Sequence, residues 1–171
     1  MIKGEVVTLR GLIKEDEKLI YEWVNRSDLR DKMGTVYPIS ECEHEKWFEK
    51  MCCCNDPKMF AIEYESKCIG TIGLKEFDHI NSTVELFVRI GDDSARNKGC
   101  GSDAVSTLVK YCFDHLNIHK VYLNVYASNV GAIRCYEKAG FSKEGLLKEH
   151  HYINGEYEDV VVMGIINNGR Q

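Results

Sequence analysis

The stretch Gly91-Asp92-Asp93-Ser94-Ala95-Arg96-Asn97-Lys98-Gly99-Cys100-Gly101 separates two segments of different hydrophobic period, and any fold for this chain must accommodate it. Before it, Met59 to Tyr64, Cys68 to Phe77 and Thr83 to Ile90 are β-branched and aromatic runs split by short polar breaks, which predicts an antiparallel meander. After it, Ala104, Val105, Leu108, Val109, Cys112 and Phe113 recur at helical spacing, so the loop opens a helix over Ser102 to Leu116. Glycines ahead of a helix leave backbone N–H groups unobstructed at the positive end of its dipole, an arrangement suited to a phosphate. On the glycines alone, a flexible turn with incidental Arg96 and Lys98 explains the same residues equally well.

The remaining segments alternate in the same manner. Val6 to Arg10 reads as a strand, and Ile13 to Asn25 as a helix with Ile13, Leu19, Ile20, Trp23 and Val24 on one stripe. Ser40 with Glu43 forms a capping-box pattern for a helix running through Trp47 and Phe48 toward Met51, which places both aromatics in the core. Lys120 to Val125 is a strand, and Asn129 to Ala139 a helix stopped by Gly140. Phe141 to Glu149 and Asp159 to Ile166 flank an Asn154-Gly155 turn as a terminal hairpin. With no repeat or linker, and with Pro38 and Pro57 between elements, residues 1–171 are expected to form a single α+β domain.

Composition removes several functions. The net charge of −5 without a Lys/Arg block argues against nucleic acid. No apolar run of about 18 residues occurs and no export signal opens the chain, which predicts a soluble, cytoplasmic protein without a membrane partner. The eight cysteines then read as reduced thiols. None has C-x-x-C spacing, neighbouring side chains of Cys52-Cys53-Cys54 diverge, and His150 and His151 point to opposite faces of a strand, so no metal is expected. Gly99-x-Gly101-x-x-Ala104 satisfies a loose dinucleotide fingerprint, but the following strand ends in Tyr126-Ala127-Ser128 without the acid that binds ribose. The P-loop pattern fails because Lys98 precedes the last glycine.

Arg96 to Gly101 resembles the R/Q-x-x-G-x-G/A pyrophosphate loop of the GNAT superfamily of acetyltransferases, and Asn129 to Phe141 resembles that family's N-x-x-A-x-x-x-Y-x-x-x-G-F segment. The Ile153-Asn154-Gly155-Glu156-Tyr157 ending is similar to the subgroup of ribosomal-protein N-terminal and spermidine N-acetyltransferases. The resemblance implies a mixed, mostly antiparallel sheet with helices on both faces and a splayed strand pair at the CoA site. It further implies direct transfer of acetyl from acetyl-CoA to a primary amine. By that resemblance the backbone of Phe87, Val88, Arg89 and Ile90 pairs with pantetheine amides. Arg96, Asn97, Lys98, Gly99, Cys100, Gly101 and Ser102 surround the pyrophosphate, and Asn129 reaches the pantetheine arm.

Tyr136 matches the acid that protonates the departing thiolate; its alternative is a core tyrosine packed with Ile133 and Phe141. Glu85, on one strand face with Phe87 and Arg89, resembles the base that takes the amine's proton, with a cross-strand ion pair or a water relay as alternatives. Cys135 is on a different side of the helix from Tyr136 and reads as packing. Glu41, Glu43, His44 and Glu45 with Tyr37 line the acceptor pocket or form an exposed helix start. Among acceptors a polyamine such as spermidine is favoured over a peptide or ribosomal-protein α-amine and an amino sugar, and a homodimer or higher homo-oligomer is expected. A CoA-binding module without turnover and a dinucleotide-binding oxidoreductase are the readings from other classes.

Overall fold

The computed structural model describes residues 1–31 and 37–169. Its strands are β1 (Ile2–Lys3), β2 (Thr8–Arg10), β3 (Lys58–Tyr64), β4 (Lys67–Asp78), β5 (Thr83–Ile90), β6 (Lys120–Tyr126), β7 (Ser142–Ile153) and β8 (Glu156–Ile166). They form one eight-stranded sheet in the order β1-β2-β3-β4-β5-β6-β8-β7. Each neighbouring pair is antiparallel except β5 with β6. The helices are α1 (Asp16–Asn25), α2 (Ser27–Asp31), α3 (Glu41–Cys53), α4 (Cys100–His115) and α5 (Val130–Lys138).

The meander and terminal hairpin lie where alternation predicts them. Two elements escape it: β1, of two residues, and α2, of five. Neither is long enough to display a period. The Ser40 capping box is present, its hydroxyl accepting from the Glu43 N–H while the Glu43 carboxylate accepts from the Ser40 N–H. Of the two aromatics expected in the core on that helix, Phe48 is buried and Trp47 half-buried.

Alternation along the strands sorts the two faces. Val84 and Leu86 of β5, Val121 and Leu123 of β6 and Met163 of β8 meet Ala104, Val105, Leu108 and Cys112 of α4, together with Ile133 and Tyr136 of α5. α1, α2 and α3 supply a separate cluster, Ile20, Trp23, Val24, Leu29 and Phe48, on the other side of the sheet. Glu85, Phe87 and Arg89 of β5 alternate with Val84 and Leu86 and point away from the α4 core.

One buried ion pair joins α1 to the sheet edge. The Asp16 carboxylate is 3% exposed and accepts from Arg10 Nη1 at 2.7 Å, Arg10 Nη2 at 2.9 Å and the Ile13 N–H at 2.9 Å. Arg10 Nε also donates to Glu63 of β3 at 2.8 Å. Burial alone would raise the Asp16 carboxyl, but the Arg10 guanidinium and the Ile13 N–H outweigh it and hold it below the usual carboxylate range. A depressed carboxylate stabilises the fold above the unfolded value of about 3.9, and that stabilisation disappears as pH falls through the folded value. Removing one member strands a buried charge, so Asp16→Ala is expected to lower unfolding free energy by about 3 kcal/mol at neutral pH. Urea titration should show a lower midpoint at unchanged slope, with the gap to wild type narrowing below about pH 4.

Candidate active site

β5 and β6 pair only over Thr83–Lys120, Val84–Val121 and Glu85–Tyr122, at their N-terminal ends. Beyond Glu85, β5 continues to pair with β4 as far as Ile90, and β6 with β8 as far as Tyr126. Each arm is therefore hydrogen-bonded on its outer edge and has no strand on its inner edge. Backbone N–H and C=O groups that face such a gap need partners, and an extended ligand bearing amides can supply them. Phe87, Val88, Arg89 and Ile90 all lie on this free arm. The fork expected from the resemblance is thus present, with Glu85 at its apex.

The glycine turn opens where the β5 arm ends. Gly99 is the N-cap of α4 and takes φ of 80°, a left-handed conformation that a side chain would strain. No side chain caps this helix end, whereas α3 and α5 are capped by Ser40 and Asn129. The first amides, from Cys100 to Ser102, have no intrahelical partner and add to the positive end of the dipole. The Ser102 hydroxyl donates back to the Gly99 carbonyl at 3.0 Å. A Cβ on Gly101 would stand 3.4 Å from Cys135 Sγ and 3.8 Å from Ile90 Cγ1, so the helix start, α5 and the end of β5 converge on this residue.

The charged residues of the loop are already engaged. Arg96 Nη2 contacts Asp93 at 2.8 Å and Asp28 at 3.4 Å, and Lys98 Nζ lies over the Tyr64 ring, 5.5 Å from its centre. Asn97 adopts φ of 62°. The buried Cys100 serves packing, with its thiol raised by desolvation.

Tyr136 is 8% exposed, its ring 6.1 Å from that of Phe141, so the packing alternative describes its surroundings. Its hydroxyl makes no hydrogen bond to any described residue, and burial raises it well above the ordinary phenol range. The neighbouring Cys135, not Tyr136, faces the glycine turn. Burial raises the Cys135 thiol as well, which disfavours the thiolate a covalent nucleophile needs. Glu85 Oε1 contacts Lys75 of β4 at 3.2 Å and accepts from Asn124 Nδ2 at 3.2 Å, so the cross-strand ion pair exists, with a lysine. Arg89 is mostly buried and finds no carboxylate among the described residues. Desolvation brings its guanidinium down to about 10, and its Nε has no partner there.

Beside the fork lies a cavity of about 700 Å³ bounded by α2, the end of β6, the start of α5 and the β7–β8 turn. Asp28, Asp31, Glu156 and Glu158 line it, and among the described residues no lysine or arginine does. Glu158 Oε1 accepts from the Ser128 N–H at 2.9 Å, and Asp31 Oδ2 from Asn154 Nδ2 at 2.9 Å across the mouth. Sequence reasoning missed these carboxylates because they come from α2 and a distant turn. Of the two readings for the start of α3, pocket lining or exposed helix start, the second describes it: Glu41, Glu43, Glu45 and Tyr37 are exposed and do not line the cavity. His44 is buried, its Nε2 hydrogen-bonded to the Glu17 carbonyl at 3.1 Å and its imidazole drawn below the ordinary histidine value by desolvation. Asn129 does line it, while its Oδ1 caps α5 through the Ala132 N–H.

A forked mixed sheet with an uncapped glycine helix start at its open end defines an acyl-CoA N-acyltransferase fold. Residues 7–142 match the acetyltransferase (GNAT) domain family, and the chain belongs to this family of N-acetyltransferases. It is 32% identical over 161 residues to spermidine N(1)-acetyltransferase of Vibrio cholerae, covering 94% of this chain and 92% of that one. The crystal structure of spermidine N-acetyltransferase from Vibrio cholerae with CoA and spermine superposes with a TM-score of 0.85 at 31% identity, over 94% of this chain and 95% of that one. A more distant relative, aminoglycoside N(6')-acetyltransferase type 1 of Klebsiella pneumoniae, is 28% identical over 83% of this chain and 77% of its own length.

Direct transfer requires that no thiol in the site act as nucleophile. Alkylation of the native protein with iodoacetamide at neutral pH, mapped by mass spectrometry, is expected to modify the exposed Cys42, Cys52 and Cys53 of α3 first. Cys112, pushed up to about 12, and Cys135 should react only after unfolding. Rapid modification of Cys135 in the folded protein would count against direct transfer.

Proposed function

We propose that this protein acetylates a primary amine of a polyamine such as spermidine, with acetyl-CoA as donor. The observation that carries the acceptor is the acidic cavity, where four carboxylates stand together against the open fork. Alkyl ammonium groups titrate near 10, so a polyamine arrives as a multiple cation, and clustered carboxylates attract it over neutral competitors.

In this reading pantetheine lies along the free edge of Phe87, Val88, Arg89 and Ile90. The pyrophosphate meets the amides of Cys100, Gly101 and Ser102, with Arg96, Asn97, Lys98 and Gly99 shaping the turn. Asn129 keeps its side-chain N–H group for the pantetheine arm, since only its oxygen caps α5. The donor's thioester then lies between the two arms, where the fork opens toward the cavity at the end of β6. The acceptor must shed a proton before its nitrogen attacks the thioester carbonyl. Glu85 at the apex serves as base, directly or through water, because Lys75 and Asn124 occupy only its Oε1. As the C–S bond breaks, Tyr136 supplies the proton to sulfur. The burial that raises the phenol raises a thiol in the same surroundings too, as it does for Cys135, so desolvation favours the neutral thiol as the leaving group.

Residues 1–171 act as one acetyltransferase domain here, supported by the single sheet that joins β1 to β8. Eight free thiols suit a reducing, cytoplasmic compartment. A homodimer is supported by β7, exposed from Ser142 to Tyr152 at the end of the sheet with Leu146 and Leu147 uncovered.

Thiol release from acetyl-CoA with spermidine, an Ala-initiated peptide and an aminoglycoside checks the acceptor. Spermidine is expected to give the highest kcat/KM, and a higher value for either competitor would overturn the polyamine assignment. Glu156→Gln removes an exposed cavity carboxylate without a hydrogen-bond partner among the described residues. It should raise the spermidine KM about threefold to tenfold and leave the acetyl-CoA KM unchanged. Tyr136→Phe is expected to lower kcat by about 10² or more at nearly constant acetyl-CoA affinity, and an unchanged kcat would remove its acid role.

A further inference from the structure

The acidic cavity and the glycine turn share an ion-pair network. Arg26, the C-cap of α1, donates from Nε and Nη2 to the two carboxylate oxygens of Asp28 at 2.7 and 3.0 Å. Its Nη1 reaches the Gly91 carbonyl at 2.9 Å and its Nη2 also meets Asp93 at 2.9 Å. Arg96 closes the ring through Asp93 at 2.8 Å and Asp28 at 3.4 Å. Two arginines thus balance two aspartates, and one of those aspartates lines the cavity.

The members are not equally free. Arg26 is held at both ends, by its bidentate grip on Asp28 and by the Gly91 backbone. Arg96 sits in the glycine turn, and its link to Asp28 is the longest in the ring. An arriving diphosphate offers Arg96 a stronger partner than a carboxylate already shared with another arginine. Asp28 itself, pulled down to about 2 by the arginines, stays charged whichever partner it keeps.

On the reading above of where donor and acceptor bind, we infer that Asp28 is an acceptor-specificity residue masked by Arg96 in the free protein and uncovered when the donor's diphosphate draws Arg96 away. Acceptor affinity therefore rises on donor binding, and by linkage the acceptor raises donor affinity by the same factor.

Calorimetric titration of spermidine into the protein, alone and saturated with CoA, which has no acetyl group to transfer, tests this at low salt. Spermidine should bind about tenfold tighter in the CoA complex, within the usual range of coupling between two sites. Arg96→Gln should bind spermidine in the absence of CoA nearly as tightly as the wild-type CoA complex does, because Arg26 alone then faces the two aspartates and one negative charge is left in excess. Loss of a merely structural contact would not tighten binding. Asp28→Asn should reduce the CoA-dependent gain to less than about twofold, whereas direct attraction between spermidine and the diphosphate would preserve the gain. Equal affinity with and without CoA in the wild type, or no tightening in Arg96→Gln, overturns the coupling and leaves the acceptor assignment standing. Absence of spermidine binding in every state overturns both.

Discussion

The parting of β5 from β6 after Glu85 is the constraint on which the rest of the site depends. A closed sheet would satisfy the inner edges of both strands and leave no backbone for a ligand. Because β4 and β8 hold the outer edges through Ile90 and Tyr126, the arms stay extended while they diverge. Rigidity and open hydrogen-bonding capacity then coexist in one strand.

That strand also organises charge. Its far end leads into the uncapped start of α4, where backbone donors and the helix dipole favour an anion. The end of β6, on the other arm, leads to a cavity lined by carboxylates, which favours a cation. Opposite preferences are thus set at two ends of one fork, and the Arg26–Asp28–Asp93–Arg96 ring lies between them. On the apolar side, α4 and α5 fill the space beneath the fork, and the desolvation of Tyr136 and Cys135 follows from that packing.

How legible this was in the sequence varied with range. Alternation placed β3 to β6 and the terminal hairpin, helical period placed α1 and α4, and Ser40 with Glu43 placed the start of α3. Those signals are local, since a strand or helix long enough to bury one face must write its period into consecutive residues. The glycine turn and the Asn129 to Phe141 segment pointed to the family for a related reason: close approach and capping restrict residue type position by position. The acidic cavity was not legible. Asp28 and Asp31 sit on a five-residue helix with no period to read, and they meet Glu156 and Glu158 only because the turn folds across more than half the chain. Glu41, Glu43 and Glu45 form a denser acidic run in sequence, yet they are spent on an exposed helix start. Likewise, nothing near Arg96 in sequence announces that Asp28 will share its guanidinium.

The sequence by itself determined which segments are strands and helices, where the chain must turn on glycine, and the family to which that pattern belongs. These follow from interactions within a few residues. Only the tertiary structure decided that β5 and β6 part after three paired residues, that Glu85 is bound to Lys75, and that four separated carboxylates share one cavity. Each of those facts depends on which distant residues the sheet order brings together, and side-chain partners across a sheet leave no trace in the spacing of either strand.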